Sequence, residues 1–323
     1  MKWKGCSREP DTMSKPEILV IAGPTAVGKT EYAIKAALEF DGEIVSCDSM
    51  QLYRYMDIGS AKPTEDERSL AVHHMIDFAD PGEDFSVAEY RKLATATIDE
   101  IIARGKLPIV SGGTGLYLNS ILYDMDFGVS PKNRKLRSEL EHIAQTSGGS
   151  VLQEMLREKD AWAAETIHPN NIRKIIRALE RLEDGETRIR PFSRISKENS
   201  RYDAALIGLT RDREQLYERI NNRVEKLFEA GLVDEVKGLM SRGLTSDDIS
   251  MKGIGYKEII DYINGKGTLT ETVELIKKNT RHYAKRQLTW FRRYDRMKWI
   301  NLSEYLNDRD VMEEIAAWMK ARA

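Results

Sequence analysis

Residues 17–30 read EILVIAGPTAVGKT, and the fold follows from how this stretch divides. Glu17–Ala22 is a short apolar run ended by Gly23, the pattern of a buried strand. Gly23-Pro24-Thr25-Ala26-Val27-Gly28-Lys29-Thr30 fits G-x-x-x-x-G-K-[ST] in full and opens a predicted helix over Glu31–Glu39. Strand, glycine-rich turn and helix are the context a phosphate-binding loop requires. An ordinary glycine turn is the bland alternative, and that context weighs against it. The chemistry explains the residue types. Glycines let consecutive backbone N–H groups turn inward around phosphate oxygens. The helix N-terminus adds partial positive charge, Lys29 adds a full one, and the Thr30 hydroxyl can ligate Mg²⁺.

The same reading extends along the chain. EIVSC (Glu43–Cys47), LPIVS (Leu107–Ser111) and ALIGL (Ala205–Leu209) are further strand-like runs, with a weaker one near Lys298–Ile300. Ser86 can N-cap a helix, with Glu89 three residues on. Val87, Tyr90, Ala94, Thr97, Ile98 and Ile101 then recur at helical spacing until Gly105. Strands alternating with helices predict an α/β fold, a P-loop NTPase-like parallel sheet flanked by helices. Residues 124–201 break the rhythm. They carry helical patterns around Leu136–Ile143, Val151–Arg157 and Ile172–Leu182 and no strand-like run, so they read as a helical insertion domain. The expected organisation is therefore an unfolded extension over 1–16, a core over 17–123 and 202–323, and an insertion over 124–201. Met13 offers an alternative start.

Length and composition narrow the class. With 323 residues, 41% hydrophobic and 32% charged, the chain can bury a core of about two domains. No window approaches the roughly 20 apolar residues of a membrane span, and the N-terminus has no apolar h-region. Cys6 and Cys47 are too few for a disulfide framework or a four-thiolate zinc site. These features point to a soluble cytoplasmic protein, and none demands more than a monomer. The net charge of −2 hides a polarity. Residues 64–100 hold ten acids and three bases, whereas residues 277–298 hold nine bases and one acid. Such asymmetry hints at a polyanionic partner, a solvated helix face being the alternative.

A phosphate loop grips a pyrophosphate without inspecting what is attached. The default tenant is ATP, which would make the chain a kinase or other NTPase. Such enzymes usually place an acid at the end of a later strand, yet LPIVS runs into Ser111-Gly112-Gly113-Thr114. The acid at a strand end is Asp48, after EIVSC. Carboxyl ends of parallel strands converge on the ligand crevice, so Asp48 and Thr114 should face the loop.

Beyond the loop, GPTAVGKT (23–30), DSMQLYRYMDIGSAKP (48–63), HHMIDFADPGEDFSVAEY (73–90) and PIVSGGTGLY (108–117) resemble the tRNA dimethylallyltransferases in order and spacing. So do RALE (177–180), RINNRVEKLFEAGLVDEV (219–236), GIGYKE (253–258) and YAKRQLTWFRR (283–293). The resemblance covers roughly residues 17–300. It implies transfer of a dimethylallyl group from dimethylallyl diphosphate to the exocyclic amine of the adenosine just 3′ of the anticodon. Lys174 stands where relatives often carry Arg. No Cys/His cluster matches the zinc-finger extension of eukaryotic members, so the chain looks like the bacterial form.

The resemblance also implies roles. Gly23, Pro24, Thr25, Ala26, Val27, Gly28, Lys29 and Thr30 would hold the diphosphate, with Mg²⁺ on Thr30. Arg223 would contact the leaving diphosphate; Arg219 lies on the same helix face at i and i+4. Asp48 would take the amine proton, with a water-mediated Mg²⁺ contact as the alternative. Ser49, Met50, Gln51, Thr114, Arg137, Arg173 and Arg177 would join Asp48 in contacting tRNA, the insertion gripping the anticodon stem-loop. The bases of 277–298 interleave with Tyr283, Trp290, Phe291 and Tyr294, a mixture nucleic-acid sites use. Trp290 reads better as a core residue. His73, His74 and Asp77 read better as ordinary polar residues than as a metal cluster. A kinase and a non-catalytic tRNA-binding protein are the rival readings.

Overall fold

The computed structural model describes residues 15–125, 134–185 and 201–322; most of the expected extension, residues 1–14, lies outside them. Six strands form one parallel sheet: β1 (Glu17–Ala22), β2 (Gly42–Ser46), β3 (His73–His74), β4 (Leu107–Gly112), β5 (Asp203–Thr210) and β6 (Lys298–Asn301). Their order is β3-β2-β4-β1-β5-β6. The chain runs from β1 past β4 to β2, and later returns to the other side of β1. The order therefore reverses beside β1, where open α/β sheets form their ligand crevice. Register brings the carboxyl ends level: Ala22 pairs with Gly112, and Ser46 with Ser111.

Five strands match the apolar runs. Ile18 to Ala22 are almost wholly buried between helices on both faces, as central parallel strands require. The Lys29–Phe40 helix packs Tyr32, Ala33, Ala36, Ala37 and Phe40 into the same core as Leu19, Ile21, Ile44 and Ile109. The two-residue β3 has no apolar run and no alternation, so pattern reading passes over it; it pairs with β2 through Ile44–His73 and Val45–His74. The Val87–Ala103 helix begins with the predicted capping box, Ser86 and Glu89 each bonding the other's backbone N–H.

The described residues divide into two compact units. One contains 15–122 and 201–322, the sheet and its helices; the other contains 123–125 and 134–185. In the second unit, helices Arg134–Ser147, Gly149–Lys159, Ala161–Thr166 and Ile172–Glu183 enclose Leu140, Leu152, Leu156, Ile175 and Leu179.

Close backbone approach sets one strict requirement of the sheet. A Cβ on Gly112 would lie 2.1 Å from the Cys47 carbonyl oxygen, a backbone atom that cannot swing aside. Gly112→Ala should therefore destabilise the protein by about 3 kcal/mol, read as a lower urea midpoint. An unchanged midpoint would mean that β2 and β4 can separate at no cost.

Candidate active site

Gly28 and Ala26 both adopt positive φ, 117° and 63°, which folds residues 23–28 into a tight turn. Cations hold three of its carbonyls. Lys29 Nζ donates to Pro24 O at 2.8 Å, Arg219 Nε to Ala26 O at 2.9 Å and Arg211 Nε to Val27 O at 3.0 Å. In a trans peptide the N–H points opposite to the carbonyl before it. Arg211 on the Val27 carbonyl thus turns the Gly28 N–H away from itself. The two arginines brace the loop from residues that carry no phosphate motif. The sequence pattern shows Arg219 only as a helix-face neighbour of Arg223, and gives Arg211 no signal.

The loop opens on a cavity of about 410 Å³. Thr25, Lys29 and Thr30 line it together with Asp48, Ser49, Met50, Gln51 and Arg223. The structure thus gathers most of the expected diphosphate and acceptor residues around one space. Gly23, Pro24, Ala26, Val27 and Gly28 shape the turn behind that wall. Among the described residues lining the cavity, Asp48 is the sole carboxylate, against Lys29, Arg223, Lys252, Lys257 and Arg286. A concave site with this excess of positive charge fits an anionic ligand.

Lys29 is lowered from 10.5 to about 8, chiefly by burial; Asp48 opposes the shift and Arg223 adds to it. Burial also lowers Arg223, with Asp48 again opposing. The Arg223 side chain makes no hydrogen bond among the described residues, so its donors stay available. Burial, and then the Asp48 charge, raise the Tyr283 hydroxyl, which also lines the cavity. Asp48 therefore lies within electrostatic reach of both cations and of Tyr283.

Asp48 sits two residues past β2 in an Asx turn: its Oδ1 accepts the Met50 N–H at 2.9 Å. Its other oxygen makes no hydrogen bond among the described residues. Thr114 Oγ1 accepts the Ser49 N–H at 3.0 Å, and the Thr114 N–H bonds Cys47 O. Thr114 thus stands behind the 48–51 turn as its brace. Both ends of the Gln51 amide are engaged, Oε1 by the Ser46 hydroxyl and Nε2 by Ala61 O. Met50 lines the cavity and packs against Gly253, where a Cβ would lie 2.6 Å from its Cε. Cys47 is buried, its thiol pushed up to about 12 by desolvation.

One wall depends on a carboxylate that pattern reading did not single out. Glu235 accepts the N–H groups of Asp57, Ile58 and Gly59 at 2.8, 2.7 and 3.0 Å, and the Tyr256 hydroxyl at 2.8 Å. Charge-assisted bonds of this kind contribute about 1.5–3 kcal/mol each, enough to hold the 57–63 segment against the cavity. Lys62, its side chain 2% exposed, closes that segment by pairing with Asp57 and Asp77. Arg68 also holds Asp77, and Glu43 holds His74. The acidic 64–100 stretch is thus partly paired, and the described residues hold no metal-ligand cluster.

Arg137, Arg173 and Arg177 belong to the helical unit. Arg137 bonds Glu180 at 2.8 Å, while Arg173 and Arg177 are exposed on the Ile172–Glu183 helix. In the basic stretch, Lys277 is held by Glu225 and Glu274, and Lys298 by Glu314. Lys278, Lys285, Arg286, Arg292 and Arg293 are exposed. Trp290 packs on Gly115, where a Cβ would lie 2.2 Å from the indole.

A family model described as IPP transferase matches residues 51–294, and one described as isopentenyl transferase matches residues 16–79. The chain belongs to the IPP transferase family. Among this family, a tRNA dimethylallyltransferase of Alkaliphilus oremlandii is 52% identical over 90% of this chain and 93% of its own. One of Acetivibrio thermocellus is 46% identical over 94% and 97%. A crystal structure of a Bacillus halodurans tRNA isopentenylpyrophosphate transferase superposes with a TM-score of 0.72 at 42% identity, covering 95% of this chain and 98% of that one. A eukaryotic dimethylallyltransferase acting on tRNA superposes at 0.71 with 30% identity, over 85% and 70%. No helix among the described residues is long and apolar enough to cross a membrane.

The lowered Lys29 has a measurable consequence. Its ammonium is disfavoured by burial, so its contribution to stability rises between pH 8 and 10.5. A bound anion restores the charge. Affinity for inorganic diphosphate should therefore fall with pH above about 8, by up to tenfold per unit. Calorimetry across pH 7 to 10 checks this; equal loss in Lys29→Met would place the titration elsewhere.

Proposed function

We propose that the chain transfers a dimethylallyl group from dimethylallyl diphosphate to the exocyclic N6 amine of the adenosine 3′-adjacent to the anticodon in tRNA, releasing diphosphate. Family membership gives the reaction class. The observation that carries the reading is the shared cavity: a phosphate loop on one side and the Asp48 carboxylate within its electrostatic reach. A kinase site needs a nucleoside triphosphate there; a prenyl transfer needs a leaving diphosphate and a proton acceptor for an amine.

Each residue then has a task. Lys29 and the loop N–H groups bind the diphosphate, and Arg223 stabilises the charge that develops as the allylic C–O bond breaks. The adenine N6 forms the new C–N bond. Its amine is barely nucleophilic, so Asp48 accepts a hydrogen bond through its free oxygen and takes the proton. The adenosine must leave its stack to enter the cavity, and the 48–51 turn, with Thr114 behind it, shapes its seat. Thr30, whose hydroxyl is a hard oxygen donor lining the cavity, would hold Mg²⁺ together with the diphosphate. When bound, Mg²⁺ supplies charge neutralisation for the diphosphate. The second unit grips the anticodon stem-loop through Arg137, Arg173 and Arg177, and the enzyme works as a cytoplasmic monomer.

Incubation with dimethylallyl diphosphate and unmodified tRNA, followed by nucleoside mass spectrometry, tests the reading. Prenylated adenosine is expected. ATP turnover without it would favour a kinase, and tRNA binding without product a passive binder. Asp48→Asn keeps the shape but cannot accept the proton. It should slow single-turnover transfer by about 10²–10⁴-fold while diphosphate affinity holds. Lost diphosphate affinity would instead make Asp48 a metal anchor.

The exposed bases of the 269–291 helix and its C-terminal end should neutralise tRNA phosphates. For about six contacts at a slope near −0.7 each, a fourfold rise in salt should weaken tRNA binding roughly 300-fold. A flat response would return these residues to solvent.

A further inference from the structure

The Leu269–Phe291 helix reaches the site through Gln287, a residue buried to 5% exposure. Its Oε1 accepts the Thr25 N–H of the phosphate loop at 2.9 Å. Its Nε2 donates to Gly113 O of the glycine turn, also at 2.9 Å. The amide orientation is fixed by its partners, since an N–H must donate to one side and a carbonyl must accept from the other. One side chain therefore spans the two halves of the site.

The contact is tight on every side. A Cβ on Gly113 would lie 2.3 Å from Gln287 Nε2, and one on Gly115 would overlap Trp290 of the same helix. Gly113 and Gly115 can thus lie against this helix only without side chains. From Gly113 the connection continues. Thr114 holds the Ser49 N–H and lies beside the Tyr283 hydroxyl, one helical turn before Gln287. Asp48 precedes Ser49. A bonded path therefore runs from the Thr25 amide through Gln287, Gly113, Thr114 and Ser49 to the Asp48 turn.

We propose that Gln287 is a positioning residue that sets the register between the diphosphate loop and the Asp48 turn, so that leaving group and acceptor amine meet in line. The inference rests on the prenyl-transfer reading above. Gln287 touches neither reacting atom. It fixes how far the Thr25 amide stands from the glycine turn that backs the acceptor seat. Displacements near 1 Å between reacting partners reduce rates about 10²-fold, while each substrate still finds its own contacts.

The test separates register from binding and from folding. Gln287→Met keeps the length and loses both bonds; Gln287→Glu keeps the acceptor for Thr25 and sets an oxygen against Gly113 O. In single-turnover transfer with wild-type enzyme alongside, the Met variant should fall about 10²-fold in rate. Its dissociation constants for inorganic diphosphate and for an anticodon stem-loop RNA should stay within about threefold. The Glu variant should show the same split, and it serves if the Met variant does not fold. A rate within about threefold of wild type, or a rate loss matched by lost affinity for either ligand, overturns the assignment. If wild-type enzyme itself gives no prenylated adenosine, the reaction assigned above fails first, and the two failures are distinct.

Discussion

The site depends on how the peptide planes of residues 23–28 are held. A glycine-rich turn left alone samples many conformations, and each ordered residue costs about 1–2 kcal/mol of backbone entropy. Here Lys29, Arg219 and Arg211 fasten three of its carbonyls, and Gln287 fastens the Thr25 amide. The loop is therefore shaped before any ligand arrives. Preorganised donors stabilise developing charge without reorganising at the moment of reaction, and leaving diphosphate is such a charge.

Two features place an acceptor against that loop. Strand register brings the ends of β1, β2 and β4 level, and Gly112, Gly113 and Gly115 let Cys47, Gln287 and Trp290 approach to distances that any Cβ would forbid. Asp48 emerges at this junction with one oxygen locked in its own turn. The opposite wall is set by Glu235 and Lys62, whose bonds hold residues 57–63. Membership of the IPP transferase family is what ties this geometry to a prenyl transfer.

Much of this was legible in the sequence, for physical reasons that differ by element. The buried strands announce themselves because both faces need apolar side chains, and Ser86–Glu89 announces a helix start because its bonds are local. The phosphate motif is legible because glycine, lysine and threonine are each demanded by one turn. β3 was not legible, since two adjacent histidines paired with β2 show neither an apolar run nor an alternation. Arg211 and Glu235 were not legible either: the backbone groups they hold lie 184 and 176–178 residues away, and single-sequence patterns report neighbours along the chain. Gln51 and Thr114 were read as tRNA contacts from resemblance; their side chains are bonded within the fold, to Ser46 and Ala61 and to Ser49.

The central claim is that one cavity receives both substrates, diphosphate on the loop and adenine at Asp48. A structure of the ternary complex with inorganic diphosphate and an anticodon stem-loop RNA tests it directly. The account predicts diphosphate oxygens on the loop amides and Lys29, and the adenine N6 within about 3 Å of the free Asp48 oxygen. An adenine seated away from Asp48, or a diphosphate bound outside the 23–30 loop, would contradict it.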